Sequence, residues 1–206
     1  MMEPTPVYIC TGFLDSGKTL LVKDTLMEQE WIEPGLTLLI LCEEGEEEYS
    51  KEYLEENDMV LLKIDKFEQL NAAFFTNCEK NYHPAQVVIE YNGMWKLEDL
   101  LQLKYPRKWQ IQGIYSTVNG TTLDMYLKNM RNMLMEQLTE SELIIINRCP
   151  EGVDRSGFRR ALKVQNPMAQ LIFEGMDGKI IQPTACHLIL RKIQLKLKMK
   201  TLESGM

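Results

Sequence analysis

The residues with the most explicit chemistry lie close to the N-terminus, in Gly12-Phe13-Leu14-Asp15-Ser16-Gly17-Lys18-Thr19. Two glycines separated by four residues and followed by Lys and a hydroxyl make the pattern that cradles a polyphosphate. Gly12 and Gly17 let the chain turn tightly. The backbone N–H groups of Gly12, Asp15, Ser16 and Gly17 can then converge on phosphate oxygens. Lys18 supplies a mobile charge for the β- and γ-phosphates, and the Thr19 hydroxyl is the expected Mg²⁺ ligand. In an empty site the Lys18 ammonium is expected to be solvated. The β-forming run 7–11 precedes the loop, and Leu20, Leu21, Val22 and Leu26 follow it at helical spacing. The loop therefore joins a strand to a helix, whose positive N-terminal end also favours an anion. These residues imply a nucleoside triphosphate as ligand.

Such a loop needs partners, and the rest of the chain must bring them to it. Near-continuous apolar runs at 36–42, 59–64, 85–91 and 143–147 read as strands buried on both faces. Segments 110–118 and 169–173 read as two further strands. Helical spacing marks 67–75, 96–103, 121–138 and the basic segment 154–164. Strands alternating with helices predict an α/β fold: a three-layer domain with a mostly parallel sheet. Ligands of such sheets bind beyond the C-terminal ends of the strands. Three stretches qualify there: Cys42-Glu43-Glu44-Gly45-Glu46, Glu90-Tyr91-Asn92-Gly93 and Asn147-Arg148-Cys149-Pro150. Met125, Met130, Met133 and Met135 are spread around their helix, as core filler is.

The 206 residues suffice for one sizeable core. A net charge of -7 argues against non-specific nucleic-acid binding, which phosphate attraction dominates. No apolar run is long enough to span a bilayer, and no basic segment precedes the first apolar run, so a cytoplasmic location is expected. Five scattered cysteines fit no disulfide framework and agree with a reducing compartment. The acidic run 43–58 reads as a solvated loop and helix face. Residues 1–183 are expected to form the nucleotide-binding domain. The segment 184–206 carries Arg191, Lys192, Lys196, Lys198 and Lys200 and reads as a basic C-terminal tail.

Taken together, the opening T-G-F-L-D-S-G-K-T, the E-x-x-G of Glu90 to Gly93, the strand ending in Asn147, and Asn166-Pro167-Met168-Ala169 carry a specific resemblance. The chain resembles the CobW/HypB/UreG family of P-loop GTPases, most closely its CobW-like branch, over about residues 5–180. The resemblance implies a domain that binds GTP and Mg²⁺, hydrolyses GTP slowly and uses the cycle to deliver metal ions to a client metalloprotein. A nucleotide-dependent dimer is a further partner it admits. It also implies roles: Lys18 and Thr19 on phosphates and Mg²⁺, Glu90 orienting Mg²⁺ through water, Gly93 beside the γ-phosphate and Asn147 on the base. Lys18 and Glu90 would be catalytic, while Thr19, Glu90 and Glu43 would be the metal-facing set.

The chain departs from the family in three respects. Asn147-Arg148-Cys149-Pro150 lacks the acid of N-K-x-D, which leaves Arg148 to cover the base face and Glu151 or Asp154 to substitute for the acid. With the acid missing, guanine should be favoured over adenine by only about ten- to a hundredfold. The metal-binding C-x-C-C is absent, so a transition-metal site has only lone candidates such as Cys42, Cys78 and His83. A separate C-terminal domain has little room. Two other readings stay open: an ATP-dependent small-molecule kinase using Arg155, Arg159 or Arg160, and a non-hydrolysing, nucleotide-gated interaction module.

Overall fold

The computed structural model describes residues 4–26 and 34–181. The tail 184–206 lies outside the described residues. Seven strands form one sheet: β1 (Thr5–Thr11), β2 (Thr37–Leu41), β3 (Met59–Lys63), β4 (Gln86–Glu90), β5 (Trp109–Asn119), β6 (Leu143–Cys149) and β7 (Gln170–Gly175). Their order is β3-β2-β4-β1-β5-β6-β7, and every neighbouring pair is parallel. The expected three-layer α/β architecture is therefore present. Every strand expected from an apolar run is found; β2 and β4 are buried on both faces, whereas β3, at the edge of the sheet, is only partly buried and ends in the exposed Lys63, against the expectation for 59–64.

Period-two alternation sorts the side chains. Val7, Ile9, Leu38, Ile40, Val87 and Ile89 point to one face, under α3 (Ala72–Tyr82) and α4 (Leu97–Leu101). Ile144, Ile146, Leu171 and Phe173 continue that layer under α6 (Arg131–Leu138) and α7 (Arg155–Gln165). Tyr8, Cys10, Leu39, Val88, Ile145 and Ile172 point the other way, towards α1 (Lys18–Leu21) and α2 (Lys51–Glu56). A wide π turn, Val22–Leu26, continues α1.

Two helical expectations are corrected. The segment 121–138 is not one helix: α5 (Leu123–Asn129) ends at Met130, whose φ of -134° breaks the ladder before α6. No Gly or Pro announces the break; docking of Leu134, Met135 and Leu138 in the core overrides local propensity. The segment 67–75 is a short 3-10 turn (Phe67–Gln69) followed by α3. Asn71 separates them, because its side chain accepts from Ala73 N (3.1 Å) and Phe74 N (3.0 Å) and starts α3 afresh.

An all-parallel sheet places the ends of β1, β2, β4, β5, β6 and β7 on one edge. The chain leaves β1 towards β2 and later crosses from β4 to β5 on β1's other side. The crevice made by that reversal opens beside the end of β1.

Candidate functional site

The loop after β1 has the backbone its glycines were expected to permit. Gly12 has φ +136°, and a Cβ there would lie 2.4 Å from Thr117 O. Gly17 has φ +101°, and its Cβ would lie 2.5 Å from Asn147 Nδ2. Asp15 is also left-handed, at φ +55°. Ser16 Oγ and Thr117 Oγ1 share a hydrogen bond of 2.7 Å that pins the loop to β5.

Lys18 is not solvated, which corrects the expectation for the empty site. Its side chain is 4% exposed. Nζ donates to Gly12 O (3.0 Å), Phe13 O (3.0 Å) and Glu43 Oε2 (2.7 Å). Three acceptors replace water because the loop curls around the ammonium and Glu43 leans in from the end of β2. Glu43 therefore departs from the solvated reading of its acidic run, whereas Glu44, Glu46, Glu47 and Glu48 are exposed.

Glu90, at the end of β4, is buried. Oε1 accepts from Thr19 Oγ1 (2.7 Å) and Oε2 from Tyr49 OH (2.6 Å). Burial raises its pKa above the usual glutamate value, although the bonds from Tyr49 and Thr19 and the charge of Lys18 oppose that shift. Burial also raises the thiols of Cys10 and Cys42, the latter to about 12, so both are protonated at neutral pH. Lys18, Thr19, Glu43, Glu90 and Arg148 line one small cavity of about 40 Å³.

Gly93 lies against the phosphate loop: a Cβ there would be 2.3 Å from Gly12 O and 2.6 Å from Phe13 Cα. The loop after β4 is held from two further sides. Asn92 Nδ2 donates to Cys42 O (3.3 Å), and Gln137 Nε2 donates to Trp95 O (2.7 Å). Gln137 Oε1 also accepts from Thr11 Oγ1, at the root of the phosphate loop.

The end of β6 closes the opposite side. Asn147 Nδ2 donates to Ser16 O (2.7 Å), while its Oδ1 is buried without a partner among the described residues. Arg148 has φ +48° and donates from Nη1 to Asp15 O (2.9 Å). A larger pocket of about 340 Å³ adjoins it, lined by Gly17, Leu20, Asn147 and Arg148 among others. That volume suits a base and sugar.

Other sequence candidates fall elsewhere. Asp154 accepts from Gly157 N (2.8 Å) as the N-cap of α7, so its carboxylate is committed there. Glu151 is exposed and lines neither cavity. Arg155, Arg159 and Arg160 lie on α7 and do not line the phosphate cavity. Asn166 holds Leu138 O, Ser141 O and Ala169 N together and is a structural staple. Cys78 is buried on α3, and His83 is exposed at that helix's end. No group of three His, Cys, Asp or Glu able to hold a metal ion is present among the described residues.

Tyr49 and Gln137 were missed as site residues. Each had a faint signal. Tyr49 is an aromatic inside an acidic run. Gln137 is a polar residue at a core-facing position, with Leu134 and Leu138 around it on α6.

The fold is similar to those of several solved proteins. A zinc-bound triple mutant of the YjiA GTPase matches with TM-score 0.60 and 19% identity, over 84% of this chain and 58% of that one. The hydrogenase maturation factor HypB from Archaeoglobus fulgidus matches with TM-score 0.62 and 18% identity, over 94% of this chain and 90% of that one. HypB from Helicobacter pylori, solved in complex with nickel, matches with TM-score 0.58 and 11% identity, over 98% and 89%. The chain thus spans little more than half of the YjiA GTPase. No curated protein sequence matches. The profile of the nucleotide-binding domain of CobW/HypB/UreG matches residues 6–173, most of the sheet and the whole phosphate loop, and the chain belongs to that family.

Proposed function

We propose that this protein is a Mg²⁺-dependent GTP-binding protein that hydrolyses GTP slowly and uses the cycle to hand a metal ion to a client metalloprotein. The observation that carries the nucleotide reading is the contact of Thr19 Oγ1 with Glu90 inside the cavity that also holds Lys18. Hydroxyl, buried carboxylate and ammonium stand together at the phosphate loop, as a Mg²⁺–triphosphate requires.

The residues fit the cation. Thr19 Oγ1 would ligate it and Glu90 would hold its water; Mg²⁺ bound there offsets phosphate charge. Lys18 turns from Gly12 O, Phe13 O and Glu43 to the phosphate oxygens. Glu43 is then driven from the ammonium, because its carboxylate and the γ-phosphate repel each other at that range. Gly93 lies against the phosphate loop, and its N–H would report whether the γ-phosphate is present. Nucleotide state is thereby coupled to two loops, after β2 and after β4. Slow turnover is supported by the arginine inventory. Among the described residues only Arg148 lines the phosphate cavity, and it is tied to Asp15 O. A transition-state arginine is worth roughly 10³ to 10⁵ in rate.

Calorimetric titration with GTP, ATP and their diphosphates, with and without Mg²⁺, tests the reading. Mg²⁺-dependent triphosphate binding that Lys18→Ala abolishes is expected. Wild-type affinity in that variant would defeat the assignment.

A further inference from the structure

The larger pocket has a second polar wall, supplied by β7. Ile146 pairs with Phe173 and Cys149 with Gly175, so a slipped register sets Glu174 beside Asn147 and Arg148. Strand alternation puts Glu174 on the side of Ile172, the face on which α1 packs. Glu174 lines the same pocket as Asn147, Arg148, Leu20 and Asp24. It is half-buried, and burial together with the nearby Asp24 carboxylate raises its pKa. Beside it, the buried Asn147 Oδ1 has no hydrogen-bond partner among the described residues. A buried acceptor without a donor is costly, and a ligand carrying donors would relieve it.

We propose that Glu174 is the base-reading acid of this protein, recognising guanine through its N1–H and 2-amino group. The assignment rests on the nucleotide reading above and adds to it the residue that sets base specificity. Guanine presents two adjacent donors on that edge, which an ionised carboxylate accepts side by side. Adenine would aim the N1 lone pair at the same carboxylate. The acid absent after Asn147 is thus replaced from the neighbouring strand: of the two acids lining the pocket, Glu174 of β7 is half-buried beside Asn147 whereas Asp24 is exposed, while Asp154 is committed to capping α7 and Glu151 lies outside.

Competition calorimetry on the full chain with Mg²⁺ and GTP, ITP, XTP or ATP tests the proposal. Wild type should bind GTP about tenfold or more tightly than ITP, which lacks the 2-amino group, and over a hundredfold more tightly than ATP. Glu174→Gln should weaken GTP by about ten- to a hundredfold and erase the GTP–ITP difference. It should gain affinity for XTP, because its amide N–H meets the 2-oxo group that a carboxylate repels. Misfolding cannot produce that gain, and the GTP–ITP comparison in wild type needs no variant. If wild type binds no triphosphate, the nucleotide reading falls and this assignment with it. If triphosphates bind but GTP and ITP are equal in wild type, or Glu174→Gln still prefers GTP to ITP and gains no XTP, the assignment alone is overturned.

Discussion

An ammonium held by two carbonyls and a carboxylate already has the negative partners a phosphate would bring. For Lys18 the carboxylate is Glu43, at 2.7 Å and mostly shielded from water. A triphosphate must therefore displace Glu43, and the lost charged bond is worth about 1.5–3 kcal/mol. Glu43→Gln should raise GTP affinity by about ten- to a hundredfold, as measured by titration; unchanged affinity would mean that the pair offers no competition. Glu90 gives a pH signature. Its pKa in the folded chain is raised, so the folded state holds that proton to higher pH than the unfolded chain does. The associated stability is complete below the ordinary glutamate value and is lost as pH rises through the raised one. Urea melts of the empty protein should show wild type losing stability relative to Glu90→Gln across that window. Parallel pH profiles for the two would show that Glu90 titrates normally.

The elements were legible in proportion to how much one local pattern decided them. Strands β2, β4 and β6, built largely of leucine, isoleucine and valine, are buried on both faces over these runs, and their composition alone marked them. The phosphate loop, Glu90 and Asn147 were legible because each sits at a strand end with a fixed spacing. Glu43 and Tyr49 were not, because an acidic run has the same composition whether one member turns inward or all face water. The break at Met130 and the acid supplied by β7 depend on contacts between segments distant in sequence, which no local pattern encodes. The N-P-x-A segment shows a motif serving an element. Asn166 joins the end of α6 and the turn after it to Ala169, the residue just before β7, through bonds of 2.9, 2.8 and 2.9 Å. Asn166→Ala orphans buried groups at both, and should cost about 2–4 kcal/mol of unfolding free energy. Its GTP affinity should stay at wild-type value, since no atom of Asn166 lines either cavity. Lost affinity with unchanged stability would reverse that reading.

On the scale of the molecule, the site lies across the middle of the sheet, and its parts come from both halves. Glu43 follows β2, Glu90 ends β4, and the loop after β1 lies between these and Asn147 of β6. Existing bonds already bridge the halves: Asn147 Nδ2 to Ser16 O, Ser16 Oγ to Thr117 Oγ1, and Gln137 to both Thr11 and Trp95. A ligand that binds only the folded chain stabilises it by mass action, by about 2.7 kcal/mol at a hundred times its dissociation constant. With phosphates and base engaging opposite halves as proposed, that stabilisation should reach both. Hydrogen exchange with Mg²⁺ and GTP should slow together in 12–19, 91–95 and 147–149. The segment 43–50 should respond differently, since Glu43 gives up Lys18 there while Tyr49 keeps Glu90. GDP should protect 12–19 and 147–149 alone, since in the proposed site it is the γ-phosphate that reaches the Gly93 loop. Protection confined to one half with either nucleotide would mean that the two pockets act independently, and the proposed coupling of nucleotide state to the loops would be lost.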